Sequence, residues 1–262
     1  MAAKSAKIGA RPRSEPIGAN LDPRAVAFFR HSIEALRRAK VPFLVGGAHA
    51  TEAYTGIEAL TKDLDLFLRA AHVERALTAL SAAGYETELT SPVWIAKAYD
   101  GDDRVDLIFN SGNGVSVVDD GWFEHAPRVR VLGYRLPLVP VEEMVWSKAF
   151  LMERDRFDGA DVAHLIRAAR GKLDGDRLLE RFGVHWRVLL AHVTLFDYIY
   201  PADRALIPSP LRDELLTRAA AEAREPAVSV RPDVALCFGT FLSRHAYRPD
   251  IEEFGLVDAR NA

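Results

Sequence analysis

The sequence predicts an α/β protein of the α+β type: a mixed sheet flanked by helices, followed by a helical C-terminal domain. Three observations predict it. Apolar residues alternate between helical and strand periods from residue 22 to residue 109, in the order αβαβαβββ. The texture turns almost wholly helical after Pro140. Acids also stand within two of the apolar strand candidates, where a plain core strand would have none.

The first helix lies in "NLDPRAVAFFRHSIEALRRAK", with Asp22 as N-cap, Pro23 in the first turn and Val26, Phe29, Ile33 and Leu36 on one face. "VPFLVGG" reads as a short buried strand ended by Gly46 and Gly47, and "AHATEAYTGI" as a short helix closing at Gly56. "LDLFL" is the next strand. "AHVERALTALSAAG" places Val73, Leu77 and Leu80 at helical spacing and stops at Gly84. "YETELT", "VWIAKAY" and "RVDLIF" are extended, the last two joined by the "DGDD" turn. After "NSGNG" come two short strand candidates, "RVRVL" and "RLPLV". Helices follow in "VEEMVWSKAFLME", "DGADVAHLIRAAR", "GDRLLERF", "VHWRVLLAHVTLFDYIY" and "PLRDELLTRAAAEAR". The expected organisation is a loose leader at residues 1–20, a mixed domain at 21–139 and a helical domain at 140–262, whose segment from residue 226 on carries no clear pattern.

At 262 residues the chain can bury a full core without disulfide staples. With 49% apolar and 27% charged residues it reads as an ordinary globular protein, expected to be cytoplasmic and without a membrane partner. The lone Cys237 excludes an internal disulfide and a cysteine-based zinc site, and its apolar setting in "VALCFGTF" predicts a buried structural thiol. The net charge of −3 is evenly spread, with 18 basic and 19 acidic residues up to position 150 and 16 and 18 after it. Neither part is a basic nucleic-acid platform, and no DNA partner is expected.

In a strand, residues i and i+2 project from one face, so Asp63 and Asp65 stand side by side while Leu64 and Leu66 face the core. Carboxylates that close repel one another unless a cation lies between them, and Mg²⁺ is the hard ion suited to oxygen ligands and phosphate substrates. Asp106 in "RVDLIF" offers a third acid, and three such acids at one sheet edge suit a two-metal site. Gly46 and Gly47, leading into a helix, offer backbone donors and a positive dipole end to a triphosphate.

In this order the residues resemble the nucleotidyltransferase superfamily with the DNA polymerase β type of palm, in its minimal bacterial branch. The resemblance spans roughly residues 40 to 170 and rests on Gly46, Gly47, Thr61, Asp63, Asp65 and Asp106. "VPVEEMVWSKAFLMERDRFDGADVAHLI" is also similar to the segment after the palm in toxin-type members, which carries over Glu142 or Glu143, Lys148, Asp158 and Asp161. The resemblance implies transfer of a nucleoside monophosphate from an NTP to an acceptor hydroxyl, with release of pyrophosphate. Asp63, Asp65 and Asp106 would be catalytic and hold two Mg²⁺ ions, with Mn²⁺ as a substitute. Gly46, Gly47, Thr61, Lys62 and Lys148 would bind the nucleotide. The acceptor, whether small molecule, protein or RNA, is not readable. Two departures bear on substrate: Glu58, Ala59 and Leu60 stand where relatives often have an arginine, and Ala48 and His49 stand where many have a serine. A toxin–antitoxin component and a non-catalytic nucleotide-binding module are the alternatives.

Blander readings accompany these residues. The acids could line an exposed strand face, Asp106 could pair with Arg104, and Lys148 could be a solvated helix lysine. Glu142, Glu143, Asp158 and Asp161 suit helix first turns on dipole grounds alone. Arg187 and His192 fit the loose Arg-x4-His spacing of HEPN-type ribonucleases, a pattern short enough to arise by chance.

Overall fold

The computed structural model describes residues 17–18, 21–58, 61–224 and 234–261. Helix α1 (Pro23–Arg38) opens on Asp22, whose carboxylate accepts the Arg24 N–H at 2.7 Å. It is followed by β1 (Leu44–Val45), α2 (Gly47–Thr55), β2 (Asp63–Phe67), α3 (Val73–Ala82), β3 (Glu86–Ser91), β4 (Ile95–Asp100) and β5 (Asp103–Ile108). The strands form one mixed sheet in the order β1-β2-β5-β4-β3. Only β2 and β5 are parallel within it; β1 pairs antiparallel with β2, and β3, β4 and β5 form an antiparallel meander. Of the seven residues in "VPFLVGG" only two pair as strand, because the chain must turn at Gly46 into α2.

Strand alternation gives the sheet two differently used faces. Leu64, Leu66 and Leu68, with Val105 and Leu107, are buried under α1 and α3 with Phe29, Ile33, Leu36 and Leu80. Asp63, Asp65 and Phe67, with Arg104, Asp106 and Ile108, occupy the other face. There Phe67 stacks on Trp122 with ring centroids 5.4 Å apart and joins a second core. Trp122 comes from α4 (Asp120–Glu124), a helix the sequence pattern does not announce. Strands β6 (Arg128–Val131) and β7 (Tyr134–Pro137) form a separate ribbon, tied to β1 by the Val139 N–H donating to Val45 O at 2.9 Å. Of the expected leader only residues 17–18 are described, and Ile17 is buried with its carbonyl accepting the Leu132 N–H.

The helices after Pro140 are α5 (Val141–Ala149), α6 (Gly159–Ala168), α7 (Gly175–Phe182), α8 (Trp186–Ile199) and α9 (Ser209–Glu222). Their core also takes Leu44, Ala50, Phe67, Val118 and Trp122 from the preceding part of the chain. Helix α5 ends four residues before the pattern in "VEEMVWSKAFLME" suggests. The chain turns after Phe150, with Met152 bridging Phe157 and the Asp158 N–H donating to Leu151 O, which returns Asp158 to the side of Lys148. The end of the chain, unreadable as sequence, forms the parallel pair β8 (Leu236–Cys237) and β9 (Val257–Asp258) with α10 (Arg248–Glu252) between them. It docks through Asn113 Nδ2 donating to Phe241 O at 2.7 Å and Ser243 Oγ donating to Glu153 at 2.8 Å. Cys237 is a free, buried thiol. Among the described residues no helix is long and apolar enough to cross a membrane.

Candidate active site

The parallel register of β2 and β5 sets Asp65 opposite Asp106 and Asp63 opposite Arg104. All four side chains share the face on which Phe67 and Ile108 are covered. The three acids therefore sit at the open end of a strip whose other end is closed by Trp122. The entrance to β2 is fixed by Thr61, whose hydroxyl accepts the Asp63 N–H at 3.1 Å.

The two glycines are required for different steric reasons. A Cβ on Gly46 would overlap the Phe67 ring, and one on Gly47 would overlap Asp65 Oδ2. Gly47 also has φ of 53°, a left-handed conformation that side chains disfavour. Its backbone thus lies directly against the Asp65 carboxylate. The Gly46 N–H donates to Asp65 O at 3.0 Å, and the first intrahelical bond of α2 runs from Ala50 N to Gly46 O. The N–H groups of Gly47, Ala48 and His49 precede that bond and form the positive end of the helix beside the carboxylates. Gly47→Ala is expected to push Asp65 off the platform and to cost about 1–2 kcal/mol through its left-handed backbone. Urea melts would register the stability loss.

The electrostatics are those of acids crowded without enough counter-charge. Burial, then the neighbouring charges of Asp106 and Asp63, push the Asp65 carboxyl up to about 6, against the opposing pull of Lys148 and Arg104. Burial likewise raises Asp106. Arg104 is the counter-ion: its Nη2 pairs closely with Asp63, and its Nε stands 3.2 Å from Asp106 Oδ1 and 3.4 Å from Oδ2. The geometry at Oδ1 does not make a hydrogen bond, so that buried atom has none among the described residues. Among the described residues no three His, Cys, Asp or Glu side chains close on one point as a finished metal centre. The donor set still fits a hard divalent cation. It supplies carboxylate oxygens from adjacent strands, mutual repulsion that a cation would relieve, and one buried oxygen without a hydrogen bond.

Opposite the sheet, α5 and the turn before α6 bring basic groups to the same region. Lys148 Nζ lies 2.9 Å from Asp158 Oδ2 and 2.7 Å from Asp161 Oδ2. Burial opposes its charge, yet the two acids hold its pKa above the ordinary lysine value. Arg156, which no motif in the sequence singles out, bonds Asp158 through Nε and Nη2 and also feels the charge of Asp65. Lys148 is therefore a committed ion-pair partner and not a solvated helix lysine. Thr61 and Lys62 line a cavity of about 790 Å³ with Asp22, Arg24 and Asp100 to Asp103, and the three platform acids are not part of its lining. Lys62 is exposed there.

The remaining sequence candidates serve the fold. Glu143 is fully buried and bonds both Arg177 and Arg181, while Glu142 accepts the Asp174 N–H at 2.9 Å. These acids tie α5 to α7 and do not face the platform. His192 is buried with Nε2 2.9 Å from Ala149 O, and Arg187 lies over the Trp186 ring and pairs with Glu222. Each is engaged away from the other. Glu58 lies just before Ala59 and Leu60, which fall outside the described residues.

His49, which in the sequence is a departure from the serine of many relatives, is a buried histidine. Its ring is 2% exposed, lies edge-on to Phe29, and has no hydrogen-bond partner at either nitrogen among the described residues. Burial, opposed by the charge of Asp63, lowers its pKa from 6.5 to about 4. The unfolded chain thus takes up this proton first as pH falls, and stability declines between pH 6.5 and 4. The linkage amounts to about 3 kcal/mol across that window. His49→Leu is expected to flatten the acid limb by about 2.4 kcal/mol between pH 7 and pH 4.5, measured as urea-melt stability at those two pH values.

The model of the family described as "Nucleotidyl transferase of unknown function (DUF2204)" matches residues 26–184. The chain belongs to this family. The matched segment includes the glycines, the three platform acids, Arg104 and Lys148. No curated protein matches the chain. Solved structures of low identity are similar over parts of it. The solution structure of antibiotic-resistance factor ANT(2'')-Ia has 16% identity, covering 66% of this chain and 98% of its own, with a TM-score of 0.46. An antigenic nucleotidyltransferase-like protein from Paracoccidioides brasiliensis has 18% identity, covering 71% and 95%, with a TM-score of 0.47. JHP933 from Helicobacter pylori has 12% identity, covering 78% and 98%, with a TM-score of 0.36.

Proposed function

We propose that this member of the DUF2204 family is a Mg²⁺-dependent nucleotidyltransferase that moves a nucleoside monophosphate from an NTP to an acceptor hydroxyl and releases pyrophosphate. The observation that carries the reading is the β2–β5 register, with Asp65 beside Asp106 and Asp63 on the same face, directly against the glycine-started N-terminus of α2. Asp63, Asp65 and Asp106 would hold the metal ions, with Mn²⁺ as a substitute. Such ions lower the pKa of an attacking hydroxyl and offset charge on the leaving pyrophosphate. The N–H groups at the start of α2 hold the triphosphate at the positive end of the helix dipole. Asp106, with its raised pKa and an Oδ1 that accepts no hydrogen bond among the described residues, takes the proton of the acceptor hydroxyl. Lys148 offsets phosphate charge when it leaves Asp158 and Asp161. Thr61 contributes by fixing the entrance of the strand that carries Asp63.

The test is a panel of four labelled NTPs with Mg²⁺ or Mn²⁺, followed by separation of whatever small molecule, protein or RNA carries the label. Pyrophosphate release that depends on the metal and on an acceptor is the expected result. Saturable NTP binding with no pyrophosphate release against any acceptor would instead mark a non-catalytic nucleotide-binding module.

A further inference from the structure

We infer that Arg104 is the resident cation of the acid platform, held by Asp63 and Asp106 in the metal-free protein and displaced from them by an incoming divalent ion. The inference rests on the nucleotidyl-transfer reading above and adds a residue that competes for the metal site. Its first support is position. Arg104 is the register partner of Asp63 and lies two residues before Asp106 on β5, so strand geometry alone puts its side chain on the platform face. The guanidinium then spans two acids from neighbouring strands, the place an ion shared between them would take.

The second support is that this pairing is incomplete and accessible. The Arg104 side chain is 40% exposed, so its charge can return to water at small desolvation cost. At Asp106 it leaves a buried oxygen without a hydrogen bond. The contrast within the same molecule is Arg177, which is 9% exposed, bonds the fully buried Glu143 through Nε and Nη2, and has no water to return to. A planar single charge bound at the edge of two acids also neutralises less of the platform than a compact double charge seated between them. Asp65 remains the least compensated of the three, since Arg104 reaches it with no bond.

The experiment is Mn²⁺ binding to the nucleotide-free protein, followed through the electron paramagnetic resonance of the free ion, for wild type, Arg104→Gln and Asp65→Asn. Arg104→Gln is expected to bind Mn²⁺ about fivefold or more tightly than wild type, and Asp65→Asn to lose most of its binding. A purely structural arginine would give the opposite sign, since its loss would loosen the acids. Equal or weaker Mn²⁺ binding by Arg104→Gln, with binding lost in Asp65→Asn, overturns the inference and leaves the platform reading intact. Unchanged binding in Asp65→Asn removes the platform reading and the inference with it. Should Arg104→Gln not fold, the ¹⁵Nε–H resonance of Arg104 in wild-type protein serves instead, assigned by its loss in Arg104→Lys. Mg²⁺ is expected to shift it, and a resonance unmoved at saturating Mg²⁺ overturns the inference.

Discussion

Asp65→Asn and Asp63→Asn are each expected to reduce metal-dependent nucleotidyl transfer by at least about 10²- to 10³-fold while leaving the fold in place. Both side chains lie on the polar face of β2, whose core residues Leu64 and Leu66 point the other way, so neither change opens a cavity. Asparagine keeps the volume and removes the charge. For Asp65 the loss should come with equal or greater thermal stability, because burial and two neighbouring acids already oppose its ionisation. For Asp63 a small stability cost is expected from the lost pairing with Arg104. Initial rates with a labelled NTP, compared with melting curves of the same preparations, separate lost chemistry from lost fold. Full activity in both variants would be incompatible with a catalytic metal platform.

Glu143→Ala is expected to have the largest effect on stability, a loss of about 3–5 kcal/mol. Glu143 is fully buried, and its Oε1 accepts bonds from Arg177 and from Arg181, at 2.9 and 2.8 Å from the two Nε atoms. Truncation strands the Arg177 guanidinium, itself 9% exposed, with Gly121 O, at 2.8 Å, as its one remaining acceptor among the described residues. Arg181 keeps Asp119 and suffers less. Because the cluster ties α5 and α7 to the loop that starts α4, the whole helical side should soften together. Urea denaturation at neutral pH measures the loss. A change below about 1 kcal/mol would mean that the buried pair is offset elsewhere.

The legible parts of the sequence were those with a local physical cause. The Asp22 cap, the Gly56 stop and the period of α1 each act within a turn of helix, and the structure reproduces them. The alternation in "DLDLF" needed only strand geometry to predict that Asp63 and Asp65 share a face. Other features depended on partners far along the chain. Glu142 and Glu143 looked like dipole-favoured first-turn acids, and nothing local indicated that Arg177 and Arg181, more than thirty residues later, would bury Glu143. Helix α4 has no local signature because "DDGWFE" is short and carries glycine; Trp122 holds it in place by stacking on Phe67.

By itself, the sequence determined the order of elements, the pair of acids on one strand face, the glycine-started helix and the single acid on a later strand. Each follows from periodicity, turn chemistry or the fixed alternation of a strand. Only the tertiary structure decided that β2 and β5 lie parallel and adjacent in a register that sets Asp65 beside Asp106. It also decided that Gly47 must lack a side chain because Asp65 lies against it, and that Arg104 stands among the acids. The physical reason is that charge interactions act through space, and neighbours across strands are set by how the whole chain buries its apolar faces.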